Sequence, residues 1–273
     1  MKQYKDVISD ILLNGADSED RTGVGTRSVF GVHMTFDIRE SFPLLTLKRT
    51  FWKGVVAELM WMLSGSTNAF DLPENVQQWW TPWADQDGSL GPTYGKQFRN
   101  SGGVDQLRRV VDGIKNNPNS RRHNIALWNP GEVDQMNLPP CHGNLIQFYV
   151  RNGELSCQMY QRSGDMFLGV PVNIAFYSLL TYMIAEECGL RPGFFNHCIG
   201  DAHIYNNHIE QCEKMVLRDE PELPTLEINY PDSSGLFEFV DVDYRNMTWK
   251  EVLKVISLKG YKPNSGIKGD VAI

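Results

Sequence analysis

The chain has 273 residues, 41% hydrophobic and 22% charged, enough for one sizeable buried core and unlike a disordered or fibrous chain. Its net charge of −7 speaks against the basic face of a general nucleic-acid binder, so no DNA partner is expected, but local arginines can still hold a small anion. Cysteines at 141, 157, 188, 198 and 212 are odd in number and include no Cys-x-x-Cys pair, which indicates neither a disulfide scaffold nor a zinc site; no metal is expected.

Met1 to Asp6 lacks an apolar signal region. Residues 2 to 13 place Tyr4, Val7, Ile8, Ile11 and Leu12 on one helical face, closed by Asn14-Gly15. Asp20-Arg21-Thr22-Gly23-Val24-Gly25-Thr26 reads as a loop, either a plain turn or a mobile arginine-bearing loop for an anion. Val29 to Ile38 alternates through Met34, Phe36 and Ile38 as a strand. Trp52 to Leu63 is helical, with Val55, Val56, Leu59, Met60 and Leu63 in one stripe and Gly65 ending it. Glu58 lies in that run; the wet face is the more frequent place for a lone glutamate, and partial desolvation is the alternative. Residues 69 to 103 read as a loop whose Trp79, Trp80 and Trp83 form either a satellite core or a platform for a flat ligand. Val104 to Lys115 is a short amphipathic helix, and a turn over 116–120 delivers Arg121 and Arg122 to a strand from Asn124 to Trp128.

Between that strand and the next, Leu145 to Val150, stands Asn137-Leu138-Pro139-Pro140-Cys141-His142-Gly143. Each proline locks φ, so the cysteine is expected to be held. A free cysteine is most often a small buried hydrophobe, whereas one near arginines is favoured as thiolate and becomes a nucleophile. Arg121-Arg122 lies about twenty residues before it and Tyr160-Gln161-Arg162-Ser163-Gly164-Asp165 about twenty after. Leu155 to Gln161 alternates again as a strand. The most apolar helix then runs from Ile174 to Glu187, with Asn173 placed as N-cap and Gly189 past its end; it reads as a buried central helix. Its apolar part, 174 to 185, is too short to span a bilayer, and a reducing, cytoplasmic setting is the default. Gly200 to His208 leads into a helix ending near Leu217, with His203 and Tyr205 on one side of any extended segment. Leu226 to Asn229 and Phe237 to Tyr244 read as strands, and a short helix follows the N-cap candidate Thr248. With no repeat or linker, the expectation is one α+β domain over residues 1–273.

In order, the motifs Asp20-Arg21-Thr22-Gly23, Ala57-Glu58-Leu59-Met60-Trp61, Leu90-Gly91-Pro92-Thr93-Tyr94-Gly95, Ser120-Arg121-Arg122, Pro139-Pro140-Cys141-His142, Tyr160 to Asp165, Leu168-Gly169-Val170-Pro171, Gly200 to Tyr205 and Val271-Ala272-Ile273 resemble thymidylate synthase across essentially the whole chain. The resemblance implies a mixed β-sheet with a buried central helix, a homodimer formed through the sheet with shared active sites, dUMP as substrate, and 5,10-methylenetetrahydrofolate as one-carbon and hydride donor. It implies Cys141 as the covalent catalyst at uracil C6, with Arg21, Arg162 and Ser163, and Arg121 and Arg122 from the partner subunit, on the 5′-phosphate. His203 and Tyr205 would bond the 3′-hydroxyl, Asn173 would pair with O4 and N3–H, and Gln161 would be a further substrate-binding residue. Glu58 would organise water and proton transfer at O4, and Tyr94 would assist loss of the C5 proton. Trp79, Trp80, Asp165, Leu168, Gly169, Val172 and Ala272 would line the folate site, with Asp165 bonding the pterin.

Departures from the family pattern collect on that folate side: Val172 stands where phenylalanine is usual, Trp79 where an aliphatic residue is usual, Phe51 where a polar residue is frequent, and Phe176 where serine is usual. Gly143-Asn144 adds one residue after the cysteine motif, and 245–258 resembles an insertion. A dUMP hydroxymethylase of the same superfamily, adding water instead of hydride, is therefore the alternative reading. A non-catalytic nucleotide- or RNA-binding relative is a third, opposed by the complete set of catalytic residue types and the absence of a basic patch.

Overall fold

Apolar–polar alternation in the middle of the chain produces a sheet with one wet and one buried face. In β5 (Glu154–Asp165), for example, Leu155, Cys157, Met159 and Gln161 are buried while Gln158 and Tyr160 are exposed. The computed structural model, which describes residues 1–137, 141, 143–231 and 234–271, joins β5 to β1 (Ala16–Ser18), β2 (Thr26–Asp37), β3 (Asn124–Ala126), β4 (Gly143–Arg151) and β6 (Arg191–Tyr205). The six strands run in the order β1-β2-β6-β5-β4-β3. β5 and β6 are parallel and the other pairs antiparallel, so the sheet is mixed, as expected. A parallel pair needs a crossover. Here it is α6 (Gly169–Glu187), whose residues are buried from Ile174 to Ala185 and which packs on both strands it joins.

Around this layer stand α1 (Lys2–Asn14) against β2, and α2 (Trp52–Leu63) against α6. The segment expected to be a loop, 69–103, contains α3 (Glu74–Gln77) and α4 (Tyr94–Asn100), separated by single 3-10 turns. α5 (Gln106–Asn116) is capped by Asp105, whose side chain accepts from the Arg108 amide at 2.9 Å. α7 (Ile209–Val216) follows β6, and a second, two-stranded sheet pairs β7 (Thr225–Ile228) with β8 (Ile256–Lys259).

Two expectations need correction, part of one strand was unforeseen, and the expected extra residue takes a definite form. Residues 237–244 form no strand: α8 (Leu236–Glu238), a π-helical turn (Phe239–Asp243) and α9 (Tyr244–Asn246) follow one another there. The buried residues are Leu236, Phe239 and Val240, a helical spacing that the alternating Phe and Val had disguised. β6 is fifteen residues long, and its first part, 191–199, carried no strand expectation. Asn173 is no N-cap, because α6 begins four residues earlier. Pro171 falls in the first turn, where its missing N–H costs nothing. The residue added after the cysteine motif becomes a bulge: Gly143 pairs with Gln161 and Leu145 with Tyr160, leaving Asn144 outside the register. The expected N-cap Thr248 does start α10 (Trp249–Val255), in a full capping box with Glu251. No helix among the described residues is long and apolar enough to cross a membrane.

Candidate active site

A cavity of about 380 Å³ opens where β2, β5 and β6 meet the first turns of α6. It is lined by Arg21, Gln161, Arg162, Ser163, Asp165, Gly169, Asn173, His203 and Tyr205, all expected from the sequence, and by Ser18, Thr26, Ser28, Asp201 and the loop residues Glu19 and Asp20, which were not. The loop bearing Arg21 is tied by Asp20, whose carboxylate accepts from the amides of Thr22 at 3.0 Å and Gly25 at 2.9 Å. Gly23 and Gly25 both take positive φ there, which only glycine adopts cheaply. The Arg162 amide donates to Asn144 Oδ1 at 3.0 Å, so the bulge residue fixes the strand carrying that arginine, whose guanidinium lies 5.7 Å from the Trp128 ring centre.

The Asp165 carboxylate accepts from the Phe167 amide at 2.9 Å and the Leu168 amide at 3.2 Å, which aligns the turn into α6. His203 and Tyr205, two apart on β6, meet edge to face with centroids 5.1 Å apart. Burial disfavours charge on His203, but Asp201, 3.5 Å away, more than offsets this and raises its pKa.

Cys141 is fully buried beside this cavity and does not line it. Burial pushes its thiol up to about 12, against the opposing effects of the Thr93 hydroxyl, 3.8 Å from Sγ, and of Arg162. Arg162 favours the thiolate, as expected of a nearby arginine, and desolvation outweighs it. Arg121 and Arg122 are exposed at the turn before β3 and do not reach this cavity in the same chain. Four strand spacings separate β2 from β3, roughly 19 Å.

Glu58 is buried, not on the wet face. Its Oε1 accepts from Trp80 Nε1 at 2.9 Å, and burial raises its pKa to about 7 despite that bond. Trp80 is buried with it, stacked obliquely on Trp61 (5.0 Å) and edge-on to Tyr94 (5.9 Å), so it forms the floor under Glu58 and not the cavity wall. Trp79 instead meets Phe51 edge to face at 5.9 Å, and both lie where a side chain on Gly54 would collide with them. Two departures from the family pattern are therefore one packing unit. Leu168 and Val172 are half-buried around the start of α6. The Asp270 carbonyl accepts from His208 Nε2 at 3.0 Å, docking the last described residues; Pro139, Pro140, His142 and Ala272 lie outside the described residues. Among the described residues no group of His, Cys, Asp and Glu is arranged to hold a metal ion.

Thr93 and Asp201 were missed as site residues, although both stand inside motifs already singled out. Together these features define a class: a protein with a polar cavity that carries two arginines and several directional side chains, set beside a buried thiol. The thymidylate synthase family model matches residues 2–273, and the chain belongs to that family, which uses methylenetetrahydrofolate as co-substrate in a transferase reaction.

Proposed function

We propose that this chain is a thymidylate synthase, converting dUMP to dTMP. The observation that carries the reading is the convergence of Arg162, Ser163, Gln161, Asn173, His203 and Tyr205 on one cavity that adjoins Cys141. Phosphate suits the forked guanidinium, the sugar hydroxyl suits the His203–Tyr205 pair, and the base edge suits the Asn173 amide. Bond formation between Sγ and uracil C6 moves electrons toward O4, and the thiol proton has to leave as it does. Thr93 and Arg162 both favour its loss. Glu58, with its proton balanced near pH 7, is suited to passing one to and from O4, and Tyr94 to assisting departure of the C5 proton. Methylenetetrahydrofolate supplies the one-carbon unit and the hydride. Asp165 fits its pterin, being a carboxylate held rigid at the cavity wall by backbone amides, beside Gly169.

The active unit in this reading is a homodimer joined through the sheet. The cavity of one chain holds Arg21 and Arg162 against Glu19, Asp20, Asp165 and Asp201, too few cations for a dianionic phosphate. Arg121 and Arg122 of the partner subunit would supply the deficit. The open sheet face carries Phe30, 85% exposed, with Tyr149 and Tyr160, a patch suited to a second copy. A cytoplasmic setting fits this chemistry.

Incubation with dUMP and methylenetetrahydrofolate, followed by mass analysis of the nucleotide, tests the reading. The expected product is dTMP with dihydrofolate. 5-Hydroxymethyl-dUMP would replace it with the hydroxymethylase reading, for which the repacked Phe51–Trp79 and Val172 region leaves scope, and no product would favour a binding-only relative.

A further inference from the structure

Three polar side chains lie in series, from His197 behind the cavity wall to Gln161 and Asn173 on it. His197, on β6 and fully buried with its ring 5.5 Å from that of Phe195, has Nε2 2.8 Å from Gln161 Oε1. Gln161, on β5 and also buried, has Nε2 2.8 Å from the Ser163 carbonyl and 3.2 Å from Asn173 Oδ1. An amide's oxygen and nitrogen exchange places by a half-turn, so their setting has to follow from their partners. The Ser163 carbonyl can only accept, which makes the Gln161 branch facing it the NH2 group. The other branch is then oxygen, and the imidazole nitrogen facing it has to carry a hydrogen. The same NH2 meets Asn173, whose facing branch is therefore oxygen, and its nitrogen is turned away from Gln161. One backbone carbonyl settles all three orientations.

We infer that His197 is a positioning residue for base recognition: as the Nε2–H tautomer it holds Gln161, and through it holds Asn173 in the one amide setting that reads uracil over cytosine. The inference rests on the dUMP reading of the cavity that Asn173 lines. In this setting Asn173 has N–H for the O4 acceptor and an oxygen for the N3–H donor. Cytosine presents the reverse pattern, an amino donor at position 4 and an acceptor at N3. Removing the His197 donor leaves Gln161 Oε1 buried with no donor from β6, and the amide gains by turning toward another. A half-turn of Gln161 sets its oxygen against both the Ser163 carbonyl and Asn173 Oδ1, so with the His197 donor gone only a share of molecules turns, and in that share the Asn173 amide is driven over as well.

The test compares the unaltered protein with His197→Leu and His197→Gln, reading kcat/KM and calorimetric affinity for dUMP and dCMP. The expected result is a preference for dUMP in the unaltered protein that narrows about tenfold in His197→Leu, through a loss on dUMP, and returns in His197→Gln, whose amide nitrogen reaches the Nε2 position. An equal loss on both nucleotides would assign His197 a merely structural role and overturn the inference. Long-range proton–nitrogen NMR on histidine-labelled, unaltered protein needs no variant to fold: Nε2–H at His197 is expected, and neutral Nδ1–H overturns the inference whatever the substrate. Failure of the unaltered protein to bind dUMP would instead overturn the functional reading, and the tautomer measurement tells the two failures apart.

Discussion

The cavity wall built by β5 and β6 and the flank built by α2, Trp79, Trp80 and residues 236–255 both contribute side chains to the core, yet they are held by different forces. On the wall, polar groups are spent on one another in fixed directions: His197 on Gln161, Gln161 on Asn173, Asn144 on the Arg162 amide, and Asp165 on two amides. On the flank the contacts are mostly aromatic, as in Trp61–Trp80, Trp80–Tyr94 and Phe51–Trp79, with Glu58 as the buried charge-bearing group among them. A buried hydrogen bond tolerates no change of donor for acceptor, whereas apolar packing tolerates exchange when volume is conserved. Substitution is therefore expected to be tolerated more readily at Phe51, Trp79 and Val172 than along the wall.

The sharpest way to break the comparison is at the thiol where the two regions meet. Cys141→Ser is expected to lower turnover by several orders of magnitude while thermal stability and dUMP affinity stay close to unaltered, because an alcohol is a far weaker nucleophile at neutral pH. Single-turnover assays and a melting curve check this, and substantial residual activity would rule out covalent catalysis by this residue. A second large effect concerns the wall's missing cations. Arg122→Ala and Cys141→Ser chains, each nearly inactive alone, should regain activity when mixed and allowed to exchange. Persistent inactivity in verified heterodimers would count against a shared site.

Much of the wall was legible in the sequence, because its chemistry sits in contiguous motifs: the Arg162–Asp165 run and the His203–Tyr205 pair entered the cavity as expected. What was not legible depends on contacts distant in sequence. His197 acquires meaning only when parallel pairing lays β6 beside β5, across the α6 crossover. Glu58 read as wet because a local stripe does not reveal that its opposite face is covered by Trp80. The 237–244 segment misled for a local reason, since alternating Phe and Val satisfy a period of two while Leu236, Phe239 and Val240 satisfy a helix. Asn173 was placed as a cap because proline usually marks a boundary, and here it lies just inside one.

A smaller, pH-dependent effect probes the flank's charge-bearing group. The folded protein holds the Glu58 proton up to about 7, whereas the unfolded chain releases it near the ordinary glutamate value of 4.5. The group's contribution is therefore full below the unfolded value and is lost as pH rises through the folded one. The difference corresponds to about 3 kcal/mol of stability declining across that window. Glu58→Gln, which keeps an acceptor for Trp80, should flatten that part of the denaturation profile measured from pH 4 to 8. An unchanged slope would mean that Glu58 is charged inside the fold.

The smallest effect asks whether the far end of the flank communicates with the wall at all. α10 starts in a capping box: the Glu251 amide donates to Thr248 Oγ1 at 3.4 Å, and Glu251 Oε2 accepts from the Thr248 amide at 2.8 Å. Thr248→Ala removes one half of this exchange and should cost about 1 kcal/mol. The loss should appear as a modest fall in denaturation midpoint with no change in the nucleotide KM. α10 lies after the π-helical turn, which Asp241 fastens to Arg99 on α4 at 2.7 Å, and none of these residues lines the cavity. If the wall is fixed by its own hydrogen bonds, fraying α10 leaves Asn173 and Arg162 where they are. A nucleotide KM that rises with Thr248→Ala would instead make the flank part of what positions the wall, and the division drawn between the two regions would fail.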